Sequence, residues 1–188
     1  MGIDQGMKMF VNLKNLFWMQ GTLDEHILQE QGLKKAPFNE RILALIAELG
    51  ECANEWQGFK YWKRPENRQP NIRAQRFPAM MPEDQIFYNP MLEEYVDMLH
   101  FILSLGLELK VKIDHERVIE TKIWMAKTIT EQFLMITGKA YELWKYKDPA
   151  IWESLFRMFV ALGEMLGFTW DQVENAYLEK NAINHARD

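Results

Sequence analysis

Cysteine is almost absent from this 188-residue chain, in which Cys52 is the single example. One thiol cannot form an intrachain disulfide or a multi-thiolate zinc site, so both kinds of scaffold are excluded. The chain also lacks an apolar run of about eighteen residues and a cationic, apolar leader, which are the marks of a membrane helix and of a secretory signal. We therefore expect a cytoplasmic protein with no membrane partner.

Basic charge is in short supply as well, because the formal net charge is −5. Such a balance offers no overall attraction to nucleic acid, and we expect none as a partner. Alternating strand patterns, internal repeats and low-complexity segments are also missing. Apolar residues form 48% of the chain, with seven Trp and twelve Met, which is enough for a substantial core. We predict one all-α domain over residues 1–188.

Helical spacing of apolar residues accounts for most of the chain. The pattern predicts a first helix over about 7–31, a second that is capped by Asn39 and extends to Trp56, and a nearly apolar helix over about 90–109. Further helices are predicted over about 114–137, 139–146, 149–165 and 169–186. Asp148-Pro149 and Thr169 or Asp171 are the start signals for the last two.

The helical pattern is lost between about residues 60 and 90. Five of the seven prolines lie there: Pro65, Pro70, Pro78, Pro82 and Pro90. The same stretch is the basic part of an acidic chain, with six cations: Lys60, Lys63, Arg64, Arg68, Arg73 and Arg76. Long loops inside compact domains are commonly functional, so we predict a basic, proline-rich functional loop.

Two acidic pairs, Glu48-x-x-Glu51 and Glu94-x-x-Asp97, lie within apolar helical patterns. Three-residue spacing puts both carboxylates of a pair on one side of a helix, and two such helices packed together would gather four. Two unit charges about 4 Å apart repel by about 4 kcal/mol at an effective dielectric of about 20. Such a group binds protons or a cation, and all-oxygen ligands favour Mg²⁺. The alternatives are solvated helix faces or a structural ion-pair network.

A di-iron centre is a second carboxylate chemistry that helical bundles support, and it uses two Glu-x-x-His motifs. Asp97-x-x-His100 imitates one of them. The other histidines are preceded at three positions by Leu23, Lys112 and Ala182, so the second motif is missing. We therefore interpret His100 as a core residue or a hydrogen-bond partner of the site.

Two further groups of residues suit a phosphorylated nucleoside. The first joins aromatic rings to ammonium groups, in Trp56, Phe59, Lys60, Trp62 and Lys63. The second sets an amine, an amide and a guanidinium at i, i+4 and i+7, in Lys180, Asn184 and Arg187. By pattern alone, the first is equally an aromatic helix end and the second a polar C-terminal turn.

Four segments of the chain resemble the dimeric, all-α deoxyuridine triphosphatases, within the wider all-α nucleoside triphosphate pyrophosphatases that include the MazG-like enzymes. The segments are Gln20-x-x-x-Asp24; Glu48-x-x-Glu51 followed by Phe59-Lys60-Tyr61-Trp62-Lys63; Glu93-Glu94-x-x-Asp97-Met98-Leu99; and Tyr177-x-x-Lys180-Asn181-x-x-Asn184-x-x-Arg187. The resemblance extends from about residue 10 to the end. It implies a homodimeric helical bundle that hydrolyses dUTP to dUMP and pyrophosphate.

The resemblance also implies the roles of individual residues. Mg²⁺, for which Mn²⁺ can substitute, would be held by Glu48, Glu51, Glu94 and Asp97, with Glu51 as the catalytic base. The nucleoside would lie near Gln20 and Asp24, in a pocket shaped by Trp62 and Lys63. Phosphate and sugar would be covered by Lys180, Asn181, Asn184 and Arg187.

Two departures from the family accompany these expectations. The segment from Lys63 to Pro90 is longer and richer in proline than the family pattern, and the residues usual beyond the final Arg-acidic pair are absent. Hydrolysis of dCTP or of a modified nucleotide is the alternative activity. A non-catalytic helical protein that binds a partner through its basic loop and aromatic surface is the alternative outside the enzymes.

Overall fold

The fold of the chain was obtained as a computed structural model, and it describes residues 8–11, 13–76, 86–112 and 117–186. These ranges contain six α-helices and two short antiparallel strand pairs, so the all-α prediction is confirmed. The helices are α1 Leu13–Glu30, α2 Phe38–Trp56, α3 Pro90–Glu108, α4 Ile129–Tyr146, α5 Pro149–Met165 and α6 Trp170–His185. The strands are β1 Lys8–Val11, β2 Ala74–Gln75, β3 Phe87–Tyr88 and β4 Arg117–Glu120.

The strands contradict the expectation that the chain has none. β1 pairs with β4, with Lys8 opposite Glu120 and Val11 opposite Arg117, so the helix predicted from residue 7 starts only at Leu13. The helix predicted over 114–137 is wrong for the same reason, because β4 and a 3-10 helix over Thr121–Trp124 fill its first half. Strands this short are set by pairing across the fold, which local apolar spacing does not reveal.

Side-chain caps fix where several helices begin. Asn89, Asp148 and Thr169 each accept a backbone N–H at the start of α3, α5 and α6, as capping residues do. Thr128 does the same for α4, which runs unbroken through Gly138 and so joins two segments predicted as separate. Asn39 is not a cap, because α2 already begins at Phe38. Its Oδ1 instead accepts a hydrogen bond from Trp144 Nε1 at 3.2 Å.

Helix α3 lies at the centre of the bundle and packs against α1, α2, α5 and α6. Two buried hydrogen bonds join α3 to α5 inside this core: Trp152 Nε1 donates to the Ile102 carbonyl at 2.7 Å, and Tyr95 Oη donates to the Phe159 carbonyl at 2.8 Å. Gly163 allows the second contact, because a Cβ there would lie 2.5 Å from Tyr95 Oη. Helix α5 thus packs closely against α3 at Tyr95, which adjoins Glu94 of the second acidic pair, and again at Ile102.

The basic segment between α2 and α3 is anchored at several points. β2 pairs with β3, with Ala74 opposite Tyr88, and a 3-10 turn spans Pro65–Asn67. Asn71 joins both helices, because its amide nitrogen donates to Glu55 Oε2 at 2.7 Å and its carbonyl accepts from the Met91 N–H. Pro78 and Pro82 lie outside the described residues.

Among the described residues, none of the helices has both the length and the apolar character required to cross a bilayer.

Candidate active site

Three carboxylates converge between α2 and α3. The helices run antiparallel, because Arg41 near the start of α2 contacts Ser104 near the end of α3, while Cys52 meets the Met91 carbonyl at the other end. This arrangement gathers one oxygen from each of three carboxylates to within 4.8 Å of one another: Glu48, Glu51 and Glu94. Helical spacing is the cause, since each pair repeats after three residues.

The fourth predicted ligand, Asp97, lies beside this group rather than in it. Its Oδ2 accepts a hydrogen bond from Lys180 Nζ of α6 at 2.7 Å. Its charge still raises the pKa of both Glu48 and Glu94. The two acidic pairs therefore come together, with three carboxylates in the group and Asp97 held at its edge by a lysine.

The group strongly favours a bound proton or cation. Burial, followed by the charges of Asp97, Glu48 and Glu51, raises the pKa of Glu94 to about 7. Burial and the charges of Asp97 and Glu51 also raise the pKa of Glu48. Three half-buried to exposed oxygen donors that repel one another fit a hard divalent ion such as Mg²⁺.

Glu93 is a site residue that the sequence analysis did not assign. Its Oε1 accepts from Lys180 Nζ at 2.8 Å and its Oε2 from Arg76 Nη2 at 2.9 Å. Burial favours the neutral acid, but these two cations outweigh it and lower the pKa of Glu93. A signal was available, because Glu93 and Asp97 are four residues apart and therefore face the same neighbouring helix.

A cavity of about 210 Å³ opens between α1, α2, α3 and the end of α6. Gln20 and Asp24 of α1 line it, as the resemblance implies. Gln20 Nε2 donates to Asp24 Oδ1 at 2.7 Å, and Ser104 Oγ donates to Asp24 Oδ2 at 2.6 Å. Burial raises the pKa of Asp24 against these two hydrogen bonds. Arg41 completes the wall by donating to the carbonyl and hydroxyl of Ser104.

His100 lines this cavity and carries a buried hydrogen-bond acceptor. Gln20 uses its amide nitrogen for Asp24, so its Oε1 accepts from His100 Nδ1 at 2.8 Å and from Tyr177 Oη at 3.0 Å. Burial, with the nearby Lys180, lowers the pKa of His100 to about 3, so the ring is neutral. Its Nε2 is then an unprotonated acceptor, buried without a hydrogen-bond partner among the described residues.

Gln20 thus orients the His100 ring, and His100 lies outside the candidate metal group of three carboxylates. This agrees with the interpretation of His100 as a hydrogen-bonded residue of the site. Arg41, Ser104 and Tyr177 were not assigned from the sequence as parts of the pocket. Their buried polar groups acquire partners only when distant helices pack together, so no local pattern identifies them.

The remaining predicted substrate residues lie in two places. Asn181 and Asn184 are on α6 beside Lys180; the Asn181 side chain lies by the Tyr177 hydroxyl, and the buried Asn184 Oδ1 has no partner in the described structure. Arg187 lies outside the described residues. Trp62 and Lys63 follow the C-terminal end of α2 at Trp56, which lies about 22 Å along the helix from Arg41 at about 1.5 Å per residue.

The structure therefore does not bring Trp62 and Lys63 to the wall of the cavity. Trp62 is 63% exposed and packs edge-on against Phe59 and Tyr61, while Lys63 Nζ donates to Gln57 Oε1 at 3.0 Å. Their contact with substrate stays a prediction.

Comparison with known protein families supplies an independent test of the resemblance. A family model described as dUTPase matches residues 12–75 and 83–188, which is most of the chain and includes every segment on which the resemblance rests. A search of curated proteins gives no match. The match over nearly the whole length confirms the resemblance, and the chain belongs to the family of dimeric, all-α dUTPases.

Proposed function

We propose that Glu48, Glu51 and Glu94, joined by Asp97, hold Mg²⁺ for the hydrolysis of dUTP to dUMP and pyrophosphate. The hydrolysis of dUTP follows from the family, and the metal is our addition. One observation carries the proposal: three carboxylate oxygens lie within 4.8 Å of one another, and Asp97 is one helical turn from His100 of a cavity that Gln20 and Asp24 also line. When bound, Mg²⁺ would offset the charge of the triphosphate and acidify a water molecule. Mn²⁺ would serve in its place.

The protein groups then have separate tasks. Glu51 is the most exposed of the three carboxylates, so we assign it the role of base, which accepts a proton from the water that attacks the α-phosphorus. Lys180 Nζ and the Asn181 amide nitrogen are donors on α6 for phosphate oxygens. Both residues are buried, and Lys180 lies beside Glu93 and Asp97; a hydrogen bond from a buried donor to an anion is strong.

The cavity beside these groups suits the deoxynucleoside. His100 Nε2 and Asn184 Oδ1 are acceptors that need donors from a ligand, and dUTP offers the uracil N3–H and the sugar hydroxyl. Apolar side chains of α1 form the opposite wall, including Leu23, Ile27 and Leu28. Arg187, Trp62 and Lys63 would complete the site around the bound substrate.

We further propose that the enzyme is a cytoplasmic homodimer of single-domain subunits. Helix α4 has an outward apolar stripe in which Leu134 is 66% exposed and Tyr141 is 56% exposed. Gly138 lies between them, and outside the helix's own backbone no atom of the described residues lies within 4 Å of where its Cβ would be. A stripe with a glycine at its centre permits close approach of a helix from a second subunit.

The decisive test is a panel of deoxynucleoside triphosphates with and without Mg²⁺, followed by pyrophosphate release. We expect dUTP to be cleaved fastest and the activity to disappear in a chelator. Faster cleavage of dCTP or of a modified nucleotide would make that nucleotide the substrate in place of dUTP. Equal rates on all bases would contradict selectivity for uracil. The absence of turnover on every nucleotide would favour a partner-binding protein instead.

A further inference from the structure

Lys180 is shared between two carboxylates of α3. Its Nζ lies 2.7 Å from Asp97 Oδ2 and 2.8 Å from Glu93 Oε1, and the side chain is only 10% exposed. Glu93 and Asp97 are successive on one face of α3, so a single ammonium on α6 bridges both. Two acceptors at nearly equal distance divide the attraction of the amine between them.

Glu93 is held from its other side by the basic segment. Arg76 Nη2 lies 2.9 Å from Glu93 Oε2, and the Arg76 guanidinium also stacks over the Tyr88 ring at 4.3 Å. The Arg76 backbone N–H donates to the Ile86 carbonyl next to the β2–β3 pair, which fixes the position of the arginine. Arg76 Nη1 also lies 3.4 Å from Glu93 Oε1, so Lys180, at 2.8 Å, is the closer partner of that oxygen.

We propose that Glu93 is a positioning residue that draws the Lys180 amine away from Asp97 and so keeps Asp97 available to a divalent ion. Without this second acceptor, Lys180 would pair with Asp97 alone and would compete with the metal for that carboxylate. The inference rests on the proposed role of Asp97 as a metal ligand. It assigns to Glu93 an effect on metal binding that is exerted through Lys180.

Two explanations of Glu93 differ in a measurable way. As one more negative charge near the site, Glu93 would attract any cation, whatever residue stands at position 180. As a competitor for Lys180, it would matter only while that amine is present. A double-mutant cycle with Glu93→Gln and Lys180→Met separates these effects, because coupled residues give non-additive changes.

The probe is Mn²⁺ alone, with its binding to the full chain measured by calorimetry in the absence of nucleotide. We expect Glu93→Gln to weaken Mn²⁺ binding about fivefold and Lys180→Met to strengthen it by a similar factor, the size of a partly buried ion pair. In the Lys180→Met background, Glu93→Gln should change the affinity by less than about twofold.

Glu93→Asp is the second variant, and it keeps the charge while shortening the side chain. A carboxylate that is one methylene shorter cannot reach both Lys180 and Arg76, so Mn²⁺ binding should weaken although the charge is unchanged. Glu153→Gln is the matched control, because it removes one carboxylate from a similar pair with Arg157 on α5 and should leave the affinity unchanged.

The outcomes separate this inference from the proposed function. Equal weakening by Glu93→Gln in both backgrounds, or wild-type affinity in both Glu93 variants, would overturn the role of Glu93 while leaving the metal site intact. No binding of Mn²⁺ to the wild-type chain would overturn the metal site itself, and with it the inference.

Discussion

At the scale of single residues, Glu94 shows how a folded environment sets proton affinity. Its pKa of about 7 lies above the usual 4.5, because burial and three neighbouring carboxylates penalise its charge. In metal-free protein, the folded state therefore binds more protons than the unfolded state at any pH between about 4.5 and about 7. Stability must then fall as the pH rises from about 5 to about 7, since the unfolded state releases its proton first.

This linkage predicts the behaviour of Glu94→Gln in the presence of a chelator. The substitution removes the ionised carboxylate, so the melting temperature should exceed that of the wild type at pH 8, and the gap should narrow towards pH 5. Thermal unfolding followed by circular dichroism measures both values. Glu142→Gln on α4 is the control and should follow the wild type. A gap that does not depend on pH would contradict the assigned pKa.

Two amide substitutions test the chemistry of the site. Glu51→Gln removes the proposed base and Asp97→Asn a proposed ligand, so each should lower turnover of dUTP by about a hundredfold or more. Steady-state kinetics at saturating Mg²⁺ measure the loss, and circular dichroism confirms that each variant folds. Near-wild-type turnover in either variant would show that the reactive centre lies elsewhere.

The residue-level site was predictable from sequence where one helix supplies the geometry. Glu48, Glu51 and Glu94 meet as expected, because three-residue spacing fixes a common face within each helix. The pairing of Lys180 with Asp97 was not predictable, because it depends on how α6 packs on α3, 83 residues away along the chain. Long-range partners of this kind have no local pattern.

At the scale of elements, helix starts with strong capping residues were predictable from the sequence. Elements that depend on pairing with a distant segment were not. α5 and α6 begin where Asp148-Pro149 and Thr169 predict, because the caps are local chemistry. Residues 117–120 include the adjacent β-branched pair Val118 and Ile119 and form a strand that local helical spacing missed. Their pairing with β1 joins segments more than 100 residues apart.

The close contact of α3 with α5 provides a prediction at this scale. A Cβ at Gly163 would lie 2.5 Å from Tyr95 Oη, so Gly163→Ala should destabilise the fold by about 1–3 kcal/mol through overpacking. Gly50→Ala is the matched control in α2: outside the helix's own backbone no atom of the described structure lies within 4 Å of the added Cβ, so stability should rise by about 0.5–1 kcal/mol. Denaturant unfolding measures both changes. Equal effects would mean that the helices have room to separate.

At the scale of the whole molecule, the apolar stripe on α4 predicts the oligomeric state. Light scattering after gel filtration should give twice the 22.4 kDa of one chain. Leu134→Lys should produce the monomer, because a charge would have to be buried in the contact. Trp18→Lys, at an exposed ring on α1, should leave the dimer intact. Dissociation by Trp18→Lys alone would assign the contact to α1 instead.

The pairing of β2 with β3 has a consequence for engineering. Because the Arg76 N–H meets the Ile86 carbonyl, the chain enters and leaves the intervening segment at nearly the same point. Insertions between those two residues would therefore lengthen the chain without parting the acidic helices, since added length raises the entropy of closure only slowly. This position therefore suits the insertion of a second folded domain whose own termini lie close together.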